Sequence, residues 1–187
     1  MKIRLAADLQ SDSIVDGEGI RTVLWTQGCP HHCPGCHNSE TWDFSDGALI
    51  DIEEVKEKLA KLKRQDGLTF SGGDPMCQPE ACYEIAKYAK TLGMNIWCYT
   101  GYTYEQLMFL GKSNKHVMDF LSMVDVLVDG RFIKEEKSQE ALFRGSTNQR
   151  IIDVQNSLKM NKVCLVEKYI LKEKPKFNFC HEEYVFV

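Results

Sequence analysis

Apolar runs the length of a β-strand alternate along this chain with stretches whose apolar residues recur every three or four positions, and that alternation leaves few folds open. Ile20 to Thr26, Leu68 to Ser71, Asn95 to Tyr99 and Val124 to Val128 read as strands, with a first strand at Lys2 to Ala7 ending in a polar loop from Gln10 to Asp16. Asp51, with Glu54 three residues on, caps an amphipathic helix marked by Ile52, Val55, Leu59 and Leu62. A second helix runs from about Pro79 to Leu92, with Gly93 as its stop. Thr103 with Gln106 opens a third through Leu110, and a fourth spans about Lys115 to Met123. A helical stretch near Val154 to Leu158 and a last strand at Lys162 to Val166 follow the loop Arg144 to Arg150. Such alternation reads as repeated βαβ units and a parallel sheet. A full eightfold barrel takes about 250 residues, more than the 187 present. At about 30 residues per unit, the expected fold is α/β: a partial, open TIM-type barrel of about five or six parallel strands with outer helices. The expected division is one domain over residues 1–171 and a tail over 172–187 with no assigned role.

In parallel α/β sheets, ligands bind where the loops leave the C-terminal ends of the strands. Here those loops carry Cys29, Cys33 and Cys36, then Gly72-Gly73-Asp74-Pro75, then Thr100-Gly101-Tyr102, then Asp129-Gly130-Arg131. They are expected to meet on one rim. Three cysteines at Cys-x3-Cys-x2-Cys in one tight loop supply three ligands, and the next cysteine, Cys77, lies in another segment. Four thiolates would complete a tetrahedral zinc site or a four-iron cluster; three leave one iron open to a substrate. The two glycines let a small polar ligand approach the backbone, and the Asp129–Arg131 pair offers a hydroxyl acceptor and a carboxylate partner. Trp42, within His37 to Asp43, is placed to cover a cluster or to pack on the core.

Each element has a plainer reading. Gly-Gly can be a turn, Asp129 a surface carboxylate, and three cysteines half of a structural zinc site with His31, His32 or His37 as fourth ligand. A zinc-stabilised binding module is therefore the rival of another class, although the chain lacks the distant cysteine pair such modules favour. Cys77, Cys82, Cys98, Cys164 and Cys180 read as structural or incidental thiols. The net charge is only −4 with mixed signs, so no basic stripe points to a nucleic-acid partner. No leader or membrane-length apolar run is read in the sequence, and the eight cysteines look like ligands or buried thiols; the expected compartment is the cytosol.

These residues resemble the radical S-adenosylmethionine enzymes, through Cys29, Cys33 and Cys36 and through Gly72-Gly73-Asp74-Pro75. Val15 to Arg21, His37 to Asp43 and Ser71 to Pro75 resemble the glycyl-radical-enzyme activases. Trp97 to Tyr102, Val126 to Arg131 and Arg144 to Arg150 are most similar to the activating proteins of anaerobic ribonucleotide reductase. The likeness runs from about Ser13 to Val166. It departs at Gly35, where many radical enzymes carry an aromatic residue, and at the tail after about Lys172. The resemblance implies a [4Fe-4S] cluster on Cys29, Cys33 and Cys36 and S-adenosyl-L-methionine on its open iron. It further implies reductive cleavage to a 5′-deoxyadenosyl radical, and hydrogen abstraction from a glycine of the reductase. By the same resemblance Gly72 and Gly73 bind the methionine amino group, Asp74 shapes their loop, Thr100 lies near the methionine end, and Asp129 and Arg131 approach the ribose and the carboxylate. A flavodoxin-type electron donor is implied as well. Two related readings stay open: activation of another glycyl radical enzyme such as pyruvate formate-lyase, or a small-molecule substrate as in the deazapurine-forming relatives.

Overall fold

The computed structural model describes residues 1–170. Eight strands form one mixed sheet: β1 (Lys2–Leu5), β2 (Gln10–Ser13), β3 (Arg21–Thr26), β4 (Ala48–Asp51), β5 (Gly67–Gly72), β6 (Asn95–Tyr99), β7 (Val126–Asp129) and β8 (Arg150–Asp153). Among the described residues five α-helices accompany it: α1 (Ile52–Lys61), α2 (Pro79–Thr91), α3 (Tyr104–Leu110), α4 (Lys115–Met123) and α5 (Val154–Met160). The strand order is β4-β1-β3-β5-β6-β7-β8, with β2 paired to β3. The tail over 172–187, and Cys180 within it, lie outside the described residues.

Four strands, β3, β5, β6 and β7, run parallel, fewer than the five or six expected from the spacing. The physical reason is in the connections. A parallel neighbour requires a long crossover, usually helical; the segment from Gly130 to Gln149 holds only a short 3-10 turn, and β8 returns antiparallel to β7. At the other edge β1 and β4 pair antiparallel over Lys2↔Asp51 to Leu5↔Ala48. Two of these strands escape a sequence reading. Gln10–Ser13 was expected to be loop, yet its polar residues pair with β3, and β4 is largely exposed. Conversely, Lys162 to Val166 is not a strand: Leu165 makes a single bridge to Ile152, and β8 itself lies earlier, at Arg150–Asp153.

The helices match the sequence more closely because their ends carry local chemistry. Thr103 and Gln106 form a reciprocal capping box on α3. Asp51 caps α1 by accepting from the Glu53 amide, not through a box with Glu54. Gly93, at φ +80°, ends the turn after α2, a conformation costly for residues with a Cβ.

Alternation along the strands sorts the two faces. Leu24, Leu68, Phe70, Ile96, Cys98 and Leu127 point to the helices, in one core with Leu59, Ile85 and Phe120. The Phe70 and Phe120 rings meet edge to face at 5.0 Å. Trp97, Val128 and Ile151 point the other way and pack with Tyr99, Phe143 and Tyr169. Arg21 is fully buried with its guanidinium 5.4 Å from the Trp97 ring. It donates to Thr69 Oγ1, to Asn95 Oδ1 and to the carbonyls of Glu18, Leu68 and Asn95. Burial draws its pKa down to about 10, which leaves it charged at neutral pH. No helix among the described residues is long and apolar enough to cross a membrane.

Truncating Phe120 to Ala should cost about 3–5 kcal/mol, read as a lower melting temperature by circular dichroism. A loss below about 1 kcal/mol would contradict the packing described.

Candidate metal and cofactor site

The loops leaving β3, β5, β6 and β7 converge at the C-terminal ends of the parallel strands, around a cavity of about 400 Å³. Its wall includes Cys29, Cys33 and Cys36 together with Gly72, Gly73 and Thr100. The expected meeting of these loops is therefore what the fold produces, with two exceptions described below.

The cysteine loop is tightly wound. Gly28, His32 and Gly35 all hold positive φ, at +97°, +48° and +75°. The Gly28 and Cys29 amides donate to the carbonyls of Thr41 and Trp42, anchoring the loop's entry. Trp42 itself lines the cavity, its indole 4.8 Å from the His32 ring. Cys36 N donates to Cys33 O, and Asn38 N donates to Cys36 Sγ at 3.4 Å. Cys29 and Cys33 are buried, and Cys36 is half-exposed. Burial pushes the Cys29 thiol up to about 11, partly opposed by a hydrogen bond from the His31 amide. Ligation would have to displace that proton, as metal binding to thiols does.

The glycines of the β5 loop are required by close approach. A Cβ on Gly72, at φ +98°, would fall 2.5 Å from Thr26 O, and one on Gly73 would fall 2.4 Å from Gly28 O. The Gly73 and Asp74 amides donate to Thr26 O and Gly28 O at 2.7 and 2.8 Å. This loop is thus pinned to the start of the cysteine loop by its own backbone.

Asp74 is completely buried. Its carboxylate accepts from Met76 N, from Thr100 Oγ1, from Gly101 N at 3.0 Å and from His31 Nε2 at 2.8 Å. Four donors fill the roughly four acceptor sites of a carboxylate. Asp74 thus holds its own loop through Met76 N and ties it to two others. The Thr100 hydroxyl is committed to this carboxylate although the residue lines the cavity.

Asp129 and Arg131 depart from expectation. Asp129 lies on the same face of β7 as Leu127, toward the helices; it is 1% exposed and does not line the cavity. Its carboxylate accepts from Tyr104 N and from Arg150, which also reaches Glu105. That arginine holds Glu105 down at about 2. Arg131 is exposed and donates to the His31 carbonyl outside the cavity. Gly130 lines the wall instead. The cation that does line it, Arg144, comes from the Arg144 to Arg150 loop, whose sequence was distinctive but suggested no role. Gln149 organises that loop, accepting from Gly145 N and Ser146 N and donating to Gly130 O.

Among the described residues, the group of three potential ligand atoms within 4.8 Å of one another is Cys29, His31 and Asp74. Cys33 and Cys36 are not in it. The three thiols therefore do not all lie within 4.8 Å of one another, although all three line the same cavity. Three thiols on one wall fit a multi-iron cluster. Cys77, half-exposed, has its thiol raised to about 12 by burial, and Cys82 and Cys98 are buried thiols of the helix-side core.

A family model described as a 4Fe-4S single cluster domain matches residues 15–152. The anaerobic ribonucleoside-triphosphate reductase-activating protein of Haemophilus influenzae is 36% identical over 150 residues, covering 74% of this chain and 90% of the relative. Its counterpart in Escherichia coli is 36% identical over 148 residues, 73% of this chain and 90% of the relative. That of bacteriophage T4 is 37% identical over 144 residues, 73% and 86% respectively. The solved structure of QueE from Escherichia coli is a partial likeness, with TM-score 0.45 and 13% identity over 54% of this chain and 53% of that one. The fold, the three thiols on one cavity wall and the matched family model define an iron–sulfur protein with a domain for a single 4Fe-4S cluster. The chain belongs to the family of anaerobic ribonucleoside-triphosphate reductase-activating proteins.

Two outcomes check the geometry. Gly73→Ala should drive the β5 and cysteine loops apart, so that the reconstituted chain holds well under half the wild-type iron by elemental analysis. Arg150→Met should leave Asp129 buried without its cation and lower stability by about 2–3 kcal/mol in urea titration, with iron content unchanged.

Proposed function

We propose that this chain installs a glycyl radical on an anaerobic ribonucleotide reductase, with Cys29, Cys33 and Cys36 holding the cluster. The observation that carries the reading is the shared cavity, which brings the three thiols and the Gly72–Gly73 backbone together. When bound, the cluster supplies the electron that cleaves the sulfur–C5′ bond of S-adenosylmethionine, giving methionine and the 5′-deoxyadenosyl radical that takes a hydrogen from the reductase's glycine.

The chain's own residues bind and orient. Since the Gly73 amide is spent on Thr26 O, the glycine segment would meet the methionine amino group through carbonyl oxygens. Thr100 and Asp74 keep that wall in place. Arg144, rather than Arg131, is the arginine at the cavity, and its Nε is buried without a protein acceptor. Its two terminal nitrogens already donate to the Gln149 and Tyr169 carbonyls, so Nε is the donor left for the carboxylate in this reading. The sheet ends at β4 and β8 without closing, which supports the partial-barrel reading and leaves room for a glycine loop of another protein to enter. A flavodoxin-type donor and a cytosolic setting complete the proposal.

The test is anaerobic. The chain is reconstituted with iron and sulfide, then reduced in the presence of S-adenosylmethionine and the reductase. The expected products are 5′-deoxyadenosine by chromatography and a glycyl radical signal by electron paramagnetic resonance, with both lost in Cys33→Ala. Zinc without sulfide in the purified protein would overturn the reading. Turnover without any protein partner would favour a small-molecule substrate, and a radical on pyruvate formate-lyase instead of the reductase would reassign the target.

A further inference from the structure

His31 sits between the first two cysteines of the ligand loop, and each of its polar groups with a described partner reaches a different place. Its carbonyl accepts from Arg131, in the loop after β7. Its ring Nε2 meets Asp74 Oδ2 at 2.8 Å, in the loop after β5. The ring stands edge-on to Tyr102, centroids 4.5 Å apart, in the loop after β6. A Cβ on neighbouring Gly101 would come within 2.3 Å of the ring, so glycine is needed there to admit the histidine. The side chains of His31 and Asp74 are 11% and 0% exposed.

We propose that His31 is a positioning residue: it locks the ligand loop to the three other strand-end loops, and so fixes where Cys29 and Cys33 present their sulfurs. This rests on the reading of Cys29, Cys33 and Cys36 as cluster ligands. Because an ionised carboxylate can only accept, Nε2 carries the hydrogen and donates it to Asp74. Of the four groups that donate to the Asp74 carboxylate, His31 is the one from the ligand loop; the others come from its own loop and from the loop after β6. The residue that follows, His32, holds a left-handed φ of +48°, which an L-residue keeps only where its surroundings enforce it. A hub gripped from three sides supplies that enforcement. Groups that orient metal ligands in this way usually change metal affinity or activity by about 10–100-fold when removed.

Glutamine can place its amide nitrogen near the position of the imidazole Nε2, so His31→Gln restores the donor and His31→Ala removes it. In the cluster-free chain, hydrogen–deuterium exchange of the peptide spanning Cys29 to Cys36 should quicken about tenfold in His31→Ala. His31→Gln should stay within about threefold of wild type. In the reconstituted chain, iron should pass to a chelator about tenfold faster from His31→Ala, and the resonance of the reduced cluster should broaden. Gly101→Ala should mimic these changes in the wild-type background and add nothing to His31→Ala, since the ring it strikes is then gone. Exchange and iron release equal to wild type in His31→Ala would overturn the proposal, as would a glutamine variant no better than alanine. A wild-type chain that takes up no cluster would defeat the functional reading instead, while the exchange measurement on the cluster-free chain still decides the role of His31.

Discussion

The buried carboxylate of Asp74 is the interaction on which the rim depends. Removing a charge from water is costly unless its hydrogen-bonding sites are filled, and here they are filled by groups from three loops: His31 after β3, Met76 in its own segment, and Thr100 and Gly101 after β6. A carboxylate satisfied in this way leaves its neighbours little freedom. The cavity wall is therefore organised around a group that is itself sealed from the cavity's contents. Backbone contacts finish the arrangement, with Gly73 and Asp74 donating to Thr26 and Gly28 across a gap too narrow for any Cβ.

A second constraint is the period of the strand. Because successive side chains leave opposite faces, Leu127 and Asp129 share the helix side of β7, whereas Val128 belongs to the inner cluster. The arginine that Asp129 needs arrives from β8, which exists as its neighbour only because the long loop before it lets the chain reverse. That same loop brings Arg144 to the cavity. One departure from parallel topology thus accounts both for the burial of one expected site residue and for the arrival of a side chain with no expected role. The pair Asp129–Arg150 supports the site from behind, by joining β7, β8 and the first turn of α3.

Much of this was legible beforehand. The four parallel strands, the bounds of α2 and α4, the capping box of α3 and the stop at Gly93 all follow from periodicity and end chemistry. So does the convergence of the cysteine and glycine loops, since parallel strands present their C-terminal ends together. The strands β2 and β4 were not legible. Their residues are polar or exposed, and they are strands because a neighbour supplies the hydrogen bonds.

The sequence by itself determined the chemistry on offer: three thiols at a spacing that one short loop can hold, and glycines where no side chain fits. Those are local properties, carried by residue type and separation along the chain. Only the tertiary structure decided which charged groups would face the cavity, because pairing partners such as His31 with Asp74 and Arg150 with Asp129 lie 43 and 21 residues apart. Whether a polar side chain is a ligand-binding group or a buried strut depends on what the fold sets against it, and no local pattern records that.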